Sequence, residues 1–127
     1  MYWYLRCWKL AFFLNGRARR KEFGIFTLIH TFIFLIIKRQ QYLYMFTETS
    51  LLYTLIAWIY FFICIAPFIS VGIRRMHDIG RSGWWILLVF VPIIGLICLL
   101  VLFFRDSEPG ENQWGENPKG IEAEEAA

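Results

Sequence analysis

Leu51 to Ile73 contains 23 consecutive residues without a charge. At 1.5 Å per residue that is about 34 Å of helix, enough to cross the ~30 Å hydrocarbon core of a bilayer. A soluble chain would have to bury such a segment on every side, and 127 residues is a short length in which to build the necessary core. Composition agrees with the membrane alternative: 58% hydrophobic and 20% aromatic residues, with only 18% charged, at a mean hydropathy of +0.50. Within the run, Pro67 removes one backbone donor and predicts a kink. Ala66 and Ser70, four apart, offer a small-residue face for close helix packing.

Two further apolar runs flank this one. Phe23 to Ile37 has 15 uncharged residues, only about 22 Å of helix. It spans if Arg20 and Lys21 snorkel at one end and Lys38 and Arg39 at the other, or if the helix continues through Gln40 and Gln41, giving a span of about 23–41. His30 lies in its middle. An ionisable group at that depth marks either a functional site or a neutral imidazole hydrogen-bonded to a neighbouring helix. Trp84 to Phe104 is a run of 21 residues with Pro92 and Gly95 near its centre. It either crosses with a kink or turns back as a re-entrant hairpin whose opened backbone other helices must cover. Crossing is the expectation, because each half of a hairpin would be only about ten residues long. Ahead of all three, Tyr2 to Leu14 reads as an interfacial helix with Arg6 and Lys9 on one face, ended by Asn15-Gly16.

The expected fold is therefore all-α and integral to the membrane: an interfacial amphipathic helix, three transmembrane helices at about 23–41, 51–73 and 84–104, and a short acidic, turn-rich tail. Residues 1–120 form one membrane domain and 121–127 a disordered acidic tail. The segment from Asp106 holds seven acidic residues against one lysine, with Pro109-Gly110 and Asn117-Pro118 as turn signals. Lys and Arg divide nine against four between the two sides of a three-span chain. That bias puts the N-terminus and the loop at Arg74 in the cytoplasm and the tail outside. No cleavable signal peptide is expected, since Arg6 and Lys9 interrupt the first run and no small-residue cleavage pattern follows. Cys7, Cys64 and Cys98 have no metal-ligand spacing and are expected to be reduced and inert.

Chemistry concentrates between the second and third runs, in Arg74-Arg75-Met76-His77-Asp78-Ile79-Gly80-Arg81-Ser82-Gly83-Trp84-Trp85. Arg74, Arg75 and Arg81, with Arg17, Arg19 and Arg20 before the first span, place six guanidinium groups on one side, where they can hold phosphate bidentately. Helical spacing lets Asp78 orient Arg81 or Arg74, and His77 can donate to a phosphate. Trp84 and Trp85 stand as interface anchors, and Ser82 is a candidate cap for the helix that follows.

Four stretches together resemble one family: Gly16-Arg17-Ala18-Arg19-Arg20-Lys21-Glu22-Phe23, the Arg74–Trp85 motif, Pro92-Ile93-Ile94-Gly95, and Pro109-Gly110-Glu111-Asn112-Gln113-Trp114-Gly115-Glu116-Asn117-Pro118. This is domain-of-unknown-function family 805, small bacterial inner-membrane proteins. Gly24, Met76 and Trp114 depart mildly from its usual pattern. The resemblance implies a helical fold in the bacterial inner (plasma) membrane and brings no established activity.

The residues themselves argue against an enzyme. His77 and Asp78 are adjacent, about 100° apart on a helix, and no serine or cysteine is spaced to complete a triad. One histidine and one aspartate fall short of a metal site, and no cofactor is implied. The reading that remains is a non-enzymatic binding or structural membrane protein whose basic cytoplasmic face contacts anionic lipid or a partner. The alternative is a subunit of an oligomeric small-solute transporter or channel, using His30 and the opened backbone near Pro92 and Gly95. Partners are the lipid bilayer, and then a second copy or other membrane proteins; nothing calls for nucleic acid.

Overall fold

The structure is a computed structural model, and it describes residues 2–115. Four α-helices and one 3₁₀ helix follow in order: α1 (Tyr2–Lys9), α2 (Arg20–Leu43), α3 (Ser50–Asp78), the 3₁₀ helix (Gly83–Phe90) and α4 (Ile94–Phe104). Among the described residues there is no strand, only an isolated bridge between Asn112 and Gly115. The acidic tail expected to be disordered, 121–127, lies outside the described residues.

α2 and α3 form a long antiparallel pair. The Glu22 carboxylate meets Arg74 at one end, His30 meets Tyr60 and Cys64 midway, and Gln41 bonds Thr54 at the other. α3 is the one described helix that is both long and apolar enough to cross a membrane. α2 continues to Leu43, past Lys38 to Gln41, so its 24 residues reach about 36 Å. Pro67 sits inside α3. Of the Ala66 and Ser70 pair expected to serve close helix packing, Ser70 is buried and instead shares its hydroxyl proton between the Leu10 and Phe13 carbonyls, 2.6 and 2.7 Å away. One hydroxyl thus satisfies backbone left open where α1 unwinds, and ties the N-terminal segment to the bundle.

The third apolar run departs from expectation, because it is not one crossing helix. The 3₁₀ helix ends at Phe90, and Ile93, with φ 69° and its neighbours' Ile94 N–H to Pro92 carbonyl bond of 2.8 Å, forms a γ-turn of the strained hand. Gly95 N–H then bonds the Val91 carbonyl at 2.6 Å, and α4 starts in the reverse direction. Both ends of the run return to the same end of α3. Gly83 packs on Ile73 and His77, while the Leu102 carbonyl accepts from Arg75 Nε at 2.9 Å. The tip reaches half way along the α2–α3 pair, where Phe90 stands with Phe26, His30 and Tyr60. Proline at 92 denies a donor and γ-turn geometry closes the bend, so the chain reverses where a kinked helix was expected. Ser82 flanks the 3₁₀ helix but its hydroxyl makes no cap hydrogen bond.

Reversal depends on glycine at 95. A Cβ there would lie 2.8 Å from the Val89 carbonyl carbon and 3.2 Å from the Leu88 oxygen, both backbone atoms that cannot step aside. Gly95→Val should therefore destabilise the protein by about 1–3 kcal/mol, read as a lower thermal midpoint in detergent, whereas exposed Ile97→Val should change it little.

Candidate functional site

The site assembles where α1, the N-termini of α2 and of its preceding loop, the C-terminal end of α3, the end of α4 and the tail converge. Asp78 is its centre and is fully buried. Its Oδ1 accepts from Arg17 Nε at 3.0 Å. Its Oδ2 accepts from Arg75 Nη1 at 2.5 Å and from the Ser107 hydroxyl at 2.5 Å. Burial pushes the Asp78 carboxyl above its ordinary value, while Ser107, Arg75 and Arg17 draw it back down. Asp78 thus orients Arg75, its neighbour three residues back on α3, and the distant Arg17, rather than the Arg81 or Arg74 expected from the sequence. Its other two partners, Arg17 and Ser107, approach from 61 and 29 positions away in the chain.

Each guanidinium around it also fastens backbone. Arg17 Nη2 donates to the Asp78 carbonyl at 3.2 Å and the Glu108 carbonyl at 2.7 Å, and Nη1 to the Gly110 carbonyl at 2.8 Å. Arg75 reaches the Leu102 and Arg105 carbonyls, which are the open C-terminal carbonyls of α4. The Glu108 N–H bonds the Asp78 carbonyl at 2.8 Å. The tail as far as Gly115 is therefore sewn to the same end of α3 as the arginine loop, and the expected separation of loop and tail by a third crossing is not seen.

A second buried carboxylate was not singled out from the sequence. Glu22, in the first turn of α2, accepts from Arg74 Nη1 at 2.6 Å and faces Arg6 Nε at 3.6 Å. The signal was available: a lone acid directly after a basic cluster, at the start of an apolar helix. Cys7 lies against it, and its thiol, pushed up to about 12 by burial and the Glu22 charge, is unreactive at neutral pH.

His77 Nδ1–H donates to the Gly16 carbonyl at 3.0 Å, which fixes the proton on Nδ1. Its ring lies flat on Trp114, centroids 4.5 Å apart at 3°. Burial holds His77 below its usual value, and the Gly16 bond opposes this. His77 and Asp78 make no bond to each other; each faces its own partners. Arg19 is buried with its guanidinium 5.3 Å over Trp3. The remaining expected residues point outward: Arg20 and Arg81 are exposed, Arg81 lies 5.2 Å over the Trp85 ring, and Trp84 is 80% exposed. Among the described residues no group of three His, Cys, Asp or Glu side chains could hold a metal ion.

Two outcomes follow. Asp78→Asn leaves Arg17 and Arg75 buried beside a neutral group and should cost about 3–5 kcal/mol of stability, the usual penalty for stranding a buried charge; Ser107→Ala should cost about 1 kcal/mol. For His77, the unfolded chain takes up a proton near pH ~6.5 but the folded chain resists it, so stability should fall as pH drops from about 7 to 5. His77→Gln should flatten that dependence in thermal melts.

Comparison with known proteins identifies the family. The family described as "Protein of unknown function (DUF805)" matches residues 11–116. The inner membrane protein YhaI of Escherichia coli K12 is 40% identical over 119 residues, which cover 94% of this chain and 97% of that protein. The inner membrane protein YhaH of the same strain is 35% identical over 122 residues, covering 94% and 98%. No solved structure matches. The chain belongs to the DUF805 family, whose curated relatives here are bacterial inner membrane proteins.

Proposed function

We propose that this is a non-enzymatic membrane protein that holds anionic phospholipid at one face, and that α2 and α3 cross the bilayer while the 3₁₀ helix and α4 re-enter it from the cytoplasmic side. The observation that carries the reading is the uneven charge at that face. Two buried carboxylates, Glu22 and Asp78, serve four arginines, Arg6, Arg17, Arg74 and Arg75. Around this frame Lys9, Arg20, Lys21 and Arg81 are exposed. Trp84 and Trp85 stand beside them at the depth where indole prefers to lie.

In this reading the arginines of the motif divide their labour. Arg17, Arg74 and Arg75 build the frame, because a guanidinium can bridge a carboxylate and several carbonyls at once. Arg20 and Arg81, with Lys21, meet lipid phosphate, and Arg81 is presented flat on Trp85. Arg19 and His77 position the flanking chain. His30 supports packing more than transport: its Nδ1 is engaged by Tyr60 and Cys64 of α3, and its ring lies among Tyr4, Trp8 and Phe26.

Phosphatidylglycerol retained through purification tests this. Each of Arg20→Gln, Lys21→Gln and Arg81→Gln should weaken retention about fivefold, near the value of one interfacial charge, with thermal stability unchanged. Retention unaffected by the triple variant would overturn the lipid-binding reading.

A further inference from the structure

The half-depth reach of the re-entrant hairpin leaves the other half of the α2–α3 seam uncovered. A groove of about 300 Å³ begins at the hairpin tip, walled by Phe26, His30, Thr31, Tyr60, Ile65 and Phe90. A second space of about 270 Å³ continues it toward the far end, with Lys38, Gln41 and Thr54 at its mouth. Phe34 and Phe61 line both, so the two adjoin along the seam. The depth is apolar and the mouth polar and cationic.

We propose that this groove holds one acyl chain of a phospholipid from the leaflet opposite the arginines, with its phosphate at Lys38. The proposal rests on α2 and α3 crossing the bilayer, and three observations support it. His30 to Lys38 is eight residues, about 12 Å of helix rise, close to half of a ~30 Å hydrocarbon core, which is one leaflet. Two polar atoms at the floor, His30 Nε2 and Thr27 Oγ1, are buried and expose almost no surface, so hydrocarbon and aromatic faces make up most of the wall. Lys38 Nζ lies 5.6 Å over the Phe34 ring and 3.2 Å from Gln41 Oε1, which swings the cation to the groove's mouth. A headgroup phosphate fits there by charge, with the Gln41 amide and the Thr54 hydroxyl 2.9 Å apart beside it. Volume in this range is typical of sites that bury most of a ligand.

The test uses the full chain in nanodiscs of palmitoyl-oleoyl-phosphatidylglycerol doped with the same lipid carrying a diazirine at mid-chain. After illumination, labelled peptides are mapped by mass spectrometry. Label should concentrate on Thr31, Phe34, Phe61 and Ile65, above the exposed outer positions Leu28, Phe32 and Ile59. Ile65→Trp, which fills the groove, should remove that excess while leaving the outer label, the internal control for folding. Lys38→Gln should reduce the excess about fivefold. Equal labelling of groove and outer positions, or an excess that survives Ile65→Trp, overturns the proposal. So does a groove excess replaced by cross-links to a second copy of the chain. No label on Leu28, Phe32 or Ile59 would instead show that the crossing reading of α2 and α3 has failed.

Discussion

Asp78 is the constraint on which the rest depends. A carboxylate removed from water at the end of a long apolar helix is costly unless its lone pairs are filled, and here they are filled from three separate parts of the chain: Arg17 ahead of α2, Arg75 on α3 itself, and Ser107 after α4. The same guanidinium groups then satisfy carbonyls at the end of α4 and in the tail. One buried charge therefore fixes where the N-terminal loop, the hairpin and the tail can be. Glu22 repeats the device on a smaller scale, joining α1, α2 and α3 through Arg6 and Arg74.

That clamp also gives the hairpin, which we propose re-enters the bilayer, its physical licence. Backbone that reverses within hydrocarbon exposes polar groups unless protein covers them. The turn at Pro92–Gly95 answers locally, with Val91 and Pro92 carbonyls taken by Gly95 and Ile94, and globally, because both ends of the hairpin are pinned at one face. Leu102 is fully buried and Phe103 packs edge-on against Phe23 at 5.2 Å, so α4 is held against the N-terminal half of α2. A short helix that could not span alone is stable here because its neighbours supply one wall.

The sequence made the long apolar helix α3 and the charge clustered in the Arg74–Trp85 motif legible, for two plain reasons. Uncharged runs report the bilayer directly, and a cluster of arginines in such a chain has few bland explanations. Which partner each arginine takes was not legible. Helical spacing pointed to Arg74 and Arg81 and equally to Arg75, which is the helical neighbour that pairs with Asp78, whereas its other two contacts come from 61 and 29 residues away. The hairpin was missed because length favoured a crossing: a run of 21 residues is the right size for a span, and the γ-turn at Ile93 uses a backbone region that a β-branched residue seldom enters. Pro92 and Gly95 were the available signals, and they pointed to the bend without giving its angle.

The central claim is that the arginine loop and the tail share one side of the membrane, with the α2–α3 connection on the other. Side-specific labelling with a membrane-impermeant maleimide tests it most directly, using single cysteines at Ser82, Glu111 and Glu48 in a chain whose three native cysteines are replaced. Ser82→Cys and Glu111→Cys should react together in inverted vesicles, and Glu48→Cys should react only in intact spheroplasts. Reaction of Glu111→Cys from the side opposite Ser82→Cys would contradict the account, since no clamp at Asp78 could then reach the tail.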